Sequence, residues 1–332
     1  MKRHLLVIIT LIGVGLGAPA SAWAQGFAPA KGTLWTKFGI VTTVATDTYA
    51  GLDEIRIDPS IEAGSRVPFY STGGGTGNGE RVGGNLQIHE LMSDIIYAPW
   101  ERVSVTASLP LLKYVRYHND SKDYTSTAIR PGDVWLSLGY QFTPDSLKAL
   151  GSTLRVRGKI PTSFELPYGD RALLGDGQFD VGVESANTVK LGPLSIDASV
   201  TYMHRRPASD DTTEIRLGDE LRISTAVGGS PAKGLWMSAG YASTIAETWE
   251  IERETMNHIT VNFGSGLSAA TAEGALIEPK IHTAFASIYY SFGPKDGVDN
   301  AIDFWFKVPL AGQDMPVLWS AGVGYVWAMT VD

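Results

Sequence analysis

Asp133-Val134-Trp135-Leu136-Ser137-Leu138-Gly139-Tyr140-Gln141-Phe142 alternates apolar and polar side chains. Extended as a strand, it sends Val134, Leu136, Leu138, Tyr140 and Phe142 to one side. Asp133, Ser137, Gly139 and Gln141 go to the other. A period of two puts one face in an apolar medium and the other near water. Twelve segments share the pattern, at 33–45, 86–98, 103–115, 132–142, 153–162, 178–189, 194–204, 217–227, 235–245, 280–292, 302–310 and 318–329. Each can supply the ~9–11 residues of a tilted membrane strand. Soluble strands run nearer ~5–6.

The links between segments alternate in length. Short ones fall at 99–102, 144–152, 190–193, 228–234 and 293–300. Long ones fall at 46–84, 116–131, 163–177, 205–216 and 246–279, with 311–317 the one short member of that set. Outer-membrane barrels have this rhythm, with short periplasmic turns and longer outer loops. The expected fold is therefore all-β: a transmembrane antiparallel up-and-down β-barrel of about 12 strands, both termini periplasmic. Closure leaves no unpaired edge in lipid. Residues 259–263 could add a further partial strand. Aromatic residues near segment ends (Tyr97, Trp100, Phe142, Tyr202, Phe292 and Trp327) fit girdles at the two lipid–water boundaries.

The first residues give an address. Lys2, Arg3 and His4 precede an apolar run at 5–17, and Ala22-Trp23-Ala24 offers a small-x-small cleavage site. This reads as a signal peptide at 1–24 ahead of a single barrel domain at 25–332, bound for a Gram-negative outer membrane. No cysteine follows the run, which excludes a lipoprotein, and no later stretch reaches the ~20 apolar residues of a spanning helix. Losing Lys2 and Arg3 takes the formal charge from −8 to −10. Such an acidic balance argues against a nucleic-acid partner. The expected partners are outer-membrane lipid and lipopolysaccharide, the barrel-assembly machinery, and a small hydrophobic or aromatic solute.

The candidate lumen residues come from charge inside the alternation. At 154–160, Leu154, Val156, Gly158 and Ile160 alternate with Arg155, Arg157 and Lys159. Each cation would cost a few kcal/mol at the bilayer midplane, so that face must point inward. At 179–184, Phe179, Val181 and Val183 alternate with Asp180, Gly182 and Glu184. Pairing of the two segments brings Arg155 and Lys159 near Glu184 and Asp180 as a charge ladder. Asp133, Asp197, Glu220 and Arg222 complete the set of pore-lining candidates. The set suits either a charged filter or a salt-bridged filling that stiffens the wall.

No enzyme is expected. His4, His89, His118, His204, His258 and His282 show no metal-ligand spacing, and each mature one reads as a loop or interfacial residue. The glycines at 73–79 lack the Lys-Ser/Thr ending of a phosphate-binding loop and read as an outer loop. No nucleophile-elbow signature is present, and neither a metal nor another cofactor is expected.

Several ordered segments resemble the outer-membrane family of the meta-pathway of phenol degradation. They are Pro131-Gly132-Asp133-Val134, Gly158-Lys159-Ile160-Pro161-Thr162, Leu174-Gly175-Asp176-Gly177-Gln178-Phe179-Asp180 and Ala321-Gly322-Val323-Gly324-Tyr325, together with the strand–turn–strand element at 97–105 that leads to Ser108-Leu109-Pro110. That family is similar in outline to fatty-acid and aromatic-hydrocarbon transporters. The resemblance implies a barrel that admits small hydrophobic or aromatic compounds. Fatty-acid transporters carry an N-terminal hatch, whereas residues 26–31 leave little before the first strand. A gate is therefore expected from an infolded loop at 46–84 or 246–279. The chain also ends Tyr325-Val326-Trp327-Ala328-Met329-Thr330-Val331-Asp332, with a tail after the terminal aromatic residues.

Three functions follow from these readings. The first is passive uptake of small hydrophobic or aromatic solutes. The alternatives are a structural or adhesive barrel, and a diffusion pore for polar solutes.

Overall fold

The computed structural model describes residues 26–45, 47–49, 66–68, 71–72, 81–82, 84–119, 124–144, 146–162, 178–206, 208–209, 213–216, 218–247, 250–253, 280–295, 298–313 and 315–331. The expected signal peptide, the glycines at 73–79 and the partial strand at 259–263 lie outside them. Within them, twelve antiparallel strands close into one barrel. They are β1 (Thr33–Ala45), β2 (Gly84–Trp100), β3 (Val103–Asn119), β4 (Val134–Gln141), β5 (Leu150–Ile160) and β6 (Asp180–Leu191). The second half supplies β7 (Leu194–Arg205), β8 (Glu220–Ala232), β9 (Leu235–Ala246), β10 (Lys280–Lys295), β11 (Val298–Gln313) and β12 (Trp319–Thr330). Closure comes from β1 on β12, in register from Thr33↔Thr330 to Val44↔Trp319.

Burial is inverted relative to a soluble protein. Phe38, Ile40, Leu136, Leu138, Val156, Val181, Val183, Val227, Phe304, Phe306 and Val323 are exposed. Lys37, Glu90, Asp94, Lys113, Lys159, Asp180, Glu184, Arg205, Glu220 and Asp303 are buried. So large an apolar exterior would aggregate in water, and a bilayer is the medium that covers it. Tyr97, Trp100, Phe142, Tyr202 and Phe292 lie exposed near strand ends, while Trp327 is half-buried.

The alternation located every barrel strand but shortened several of them. β2, β3, β10 and β11 extend beyond the expected edges, and β8 starts at Glu220 instead of 217. The expected links at 228–234 and 293–300 are largely strand, because Ala232 pairs with Leu235 and Lys295 with Val298. Turn glycines and prolines there sit inside the hairpins. The outer link at 116–131 holds an additional strand, Tyr124–Arg130, paired with the upper part of β3. It is separated from β4 by Pro131, Gly132 and Asp133. Pro131 and the facing Pro110 have no N–H for the ladder, so one bond remains, from Gly132 N–H to the Pro110 carbonyl at 2.9 Å.

Candidate functional site in the barrel lumen

The inward residues of β5 to β8 build a cation-rich arc. Arg155 pairs in register with Glu184, and Lys159 with Asp180. Arg155 donates to Glu184, and Arg157 Nη1 donates to the other oxygen of that carboxylate at 2.6 Å. Lys159 Nζ lies 2.7 Å from Asp180. One strand further on, the Glu220 carboxylate accepts from both Arg205 and Arg222. Two glutamates thus each carry two arginines. The charge of Arg222 is felt by Lys307 on β11, and Arg157 and Arg205 both repel Arg222.

The arc formed by β11, β1, β2, β3 and the approach to β4 has the opposite stoichiometry. Lys37 pairs with Asp303, and Asp94 stands beside them, hydrogen-bonded to Ser108. Lys113 lies 3.7 Å from Glu90, which also feels Asp133. Four acids here, Glu90, Asp94, Asp133 and Asp303, face three lysines, Lys37, Lys113 and Lys307. Aromatic and aliphatic side chains fill in around them. Val41, Met92 and Trp305 form one buried cluster. Trp35, Ala301 and Val326 form another, with Ile96 and Tyr289 packed against it.

Most of these charges are shielded. Side-chain exposure is 1% and 2% for Lys159 and Asp180, but 19%, 23% and 15% for Arg155, Arg157 and Arg222. Those three arginines, with the half-buried Lys307, present accessible cationic surface among the described residues. Indoles flank the cations: the Trp135 ring centre is 6.0 Å from both Arg157 Cζ and Lys159 Nζ, and Trp305 is 5.5 Å from Lys307 Nζ.

The sequence candidates divide between these places. Arg155, Arg157, Lys159, Asp180, Glu184, Glu220 and Arg222 come together on the cation-rich arc. Asp133 belongs to the opposite arc and accepts the Thr162 N–H at 3.1 Å. Asp197 lies near the β6–β7 turn, where Thr188 and Ser195 hydroxyls donate to it. Lys37, Glu90, Asp94, Lys113, Arg205, Asp303 and Lys307 were missed, although the same signal was available: each is a charge within an apolar alternation. The inner aromatics were missed because Trp305 sits between Phe304 and Phe306, so polarity could not tell the two faces apart.

The few residues before β1, expected to leave little there, lie against the barrel wall. Residues 26–32 leave β1 and reach across the periplasmic mouth to β4, β5 and β6. Gly26 N–H donates to Thr188 Oγ1 at 2.9 Å, and Thr153 Oγ1 donates to the Gly26 carbonyl at 2.9 Å. Ala28 N–H donates to Gln141 Oε1 at 2.7 Å, and Lys190 Nζ stands 4.2 Å over the Phe27 ring. A Cβ on Gly151 would lie 2.7 Å from both the Gly26 carbonyl and the Phe27 ring, so this close approach requires glycine. The loops at 46–84 and 246–279 fall mostly outside the described residues.

Three histidines, His89, His204 and His282, find partners outside the lumen. His89 stacks on Tyr114, and His282 on Tyr241, both with ring centres 6.0 Å apart. His204 lies 3.0 Å from Asp219 at the outer rim. Partial burial works to raise the Asp219 carboxyl. Hydrogen bonds from Tyr202, the Arg205 N–H and His204, with the His204 charge, outweigh it and hold the group below the usual range. Among the described residues no group of three His, Asp or Glu side chains could hold a metal ion.

No protein-family model matches the chain, and no curated protein matches its sequence. Solved structures do. The chain is similar to the COG4313 outer membrane channel from Pseudomonas putida F1, with a TM-score of 0.63 and 13% identity over 92% of this chain and 99% of that one. At that identity the likeness is one of fold. Two monoaromatic hydrocarbon channels align more loosely. The TodX deltaS2S3 mutant gives a TM-score of 0.40 at 9% identity, covering 94% of this chain and 93% of that one. CymD gives 0.39 at 9%, covering 95% and 93%. Fold and inverted burial together make this an outer-membrane β-barrel.

Proposed function

We propose that the protein is a channel for passive uptake of small hydrophobic or aromatic compounds across the outer membrane, and not an enzyme. The observation that carries this reading is the set of apolar and aromatic side chains packed inside the barrel among its charges: Trp35, Val41, Met92, Trp305 and Tyr289. A water-filled lumen is polar. Indoles and aliphatic chains on the inner wall instead give a flat apolar solute a path of weak contacts. Membership of the phenol meta-pathway family, removal of residues 1–24 as a leader, insertion by the barrel-assembly machinery and a collar of lipopolysaccharide belong to the same reading. Its support there is the resemblance, the basic and apolar start of the chain, and the lipid-facing exterior.

The test uses asymmetric vesicles with lipopolysaccharide in the outer leaflet, which slows apolar solutes. Protein-bearing vesicles should accumulate a fluorescent aromatic probe faster than protein-free ones. Equal rates would overturn the reading. A second reading, a pore for polar solutes, is favoured by the accessible Arg155, Arg157 and Arg222. It predicts stable ohmic steps in planar bilayers without any effect on the apolar probe.

A further inference from the structure

The two-arginine units on β5 to β8 are not balanced by their own acids. Arg155 and Arg157 share Glu184; Arg205 and Arg222 share Glu220. Each unit keeps one positive charge in excess. Several donors there also meet no acceptor among the described residues: Arg205 Nε and Nη1, and Arg222 Nη2, are all buried. A desolvated guanidinium with unused N–H groups is costly to hold until an anion or water reaches it. Its fork matches a carboxylate in two parallel bonds. The surroundings add a second requirement. Trp135 lies beside Arg157 and Lys159, and Trp305 beside Lys307, so a planar ring attached to the anion would meet indole faces.

We infer that this arc is a binding site for the carboxylate of an aromatic acid, whose ring lies against the neighbouring indoles. The inference rests on the channel reading and narrows its substrate class from apolar aromatics to aromatic monoanions. The acid-rich arc opposite works in the same direction. Glu90, Asp94, Asp133 and Asp303 outnumber Lys37, Lys113 and Lys307 there, and they repel the carboxylate toward the arginines.

The test uses the full-length protein, with benzoate, benzyl alcohol and inorganic phosphate as probes. Benzoate should interrupt single-channel current in planar bilayers at concentrations where benzyl alcohol does not. The double variant Arg157→Gln/Arg222→Gln removes both excess charges and leaves every acid a partner, Arg155 for Glu184 and Arg205 for Glu220. Heat-modifiable migration would confirm that it folds. Its benzoate block should weaken at least about tenfold, the loss expected for a charge-assisted hydrogen bond, and its reversal potential should move toward cations. Arg157→Lys/Arg222→Lys should keep the reversal potential but still weaken the block, because an ammonium lacks the fork.

Tryptophan fluorescence titration in detergent separates the two readings. Saturable benzoate quenching without conductance or vesicle uptake supports the site and overturns the channel. Conductance indifferent to benzoate overturns the site and keeps the channel. Equal block of wild type and the Gln variant, or block by phosphate and not benzoate, also overturns the site.

Discussion

The two arcs of the inner wall use the same strand geometry with opposite stoichiometry. On β5 to β8, two arginines share each glutamate. On β11, β1, β2, β3 and the approach to β4, four acids face three lysines: Asp94 and Asp303 stand at Lys37, and Glu90 stands at Lys113 with Asp133 beside it. Had every charge been paired one to one, the lumen would be a neutral filling that stiffens the barrel. Unequal pairing instead leaves a field across the lumen, positive on one side and negative on the other. The difference teaches that salt bridges in this wall do two things: each satisfies its members locally, and the surplus is presented to whatever passes.

Removing the central member of either unit should have the largest effect. Glu220→Gln leaves Arg205 and Arg222 buried without an acid, and should destabilise the barrel by about 3–5 kcal/mol in urea unfolding from lipid vesicles. Lys37→Met leaves Asp94 and Asp303 without their cation and should cost about as much. The surplus members are the contrast. Asp94→Asn keeps the Lys37–Asp303 pair, and Arg157→Gln keeps the Arg155–Glu184 pair, so each should shift stability by less than about 1 kcal/mol. Equal costs for Glu220→Gln and Asp94→Asn would break the comparison.

The strap of residues 26–32 joins the two arcs, leaving the wall at β1 and ending on β5 and β6. Gly151→Val should expel it. The expected loss is about 1–3 kcal/mol, from three hydrogen bonds of about 1 kcal/mol each, with a larger single-channel conductance. Unchanged conductance would deny the strap any role in closing the mouth.

The smallest effect concerns the rim that holds Arg205. Asp219 accepts the Arg205 N–H at 3.1 Å, which fixes the end of β7 next to Glu220. Its carboxyl is held below the ordinary range, so its stabilisation is complete above the unfolded-state pKa and lost as pH falls through the lower folded-state value. At this exposed rim the effect should be on the order of 0.5 kcal/mol. Hydrogen exchange at the outer ends of β7 and β8 should quicken on acidification, and Asp219→Asn should remove that dependence.

Some of this was legible in the residues alone. A charge flanked by apolar neighbours in a strand can face only water, so Arg155, Arg157, Lys159, Asp180 and Glu184 were assigned to the inner wall without coordinates. Their pairing was legible too, because they lie on consecutive strands of one hairpin. Arg205 escaped because the expected strand stopped at 204, one residue short. The pairing of Lys37 with Asp303 was hidden for a deeper reason: 266 residues separate them, and only barrel closure brings β1 near β11.

By itself, then, the sequence determined the class of fold, the orientation of each strand and the side from which water reaches it. Those follow from a two-residue period and the cost of charge in lipid, which are local properties. Only the tertiary structure decided which charges outnumber which, that aromatic rings share the lumen with them, and that a seven-residue strap crosses the mouth. These depend on curvature and closure. A ring of twelve strands sets distances across its interior that no spacing along the chain encodes.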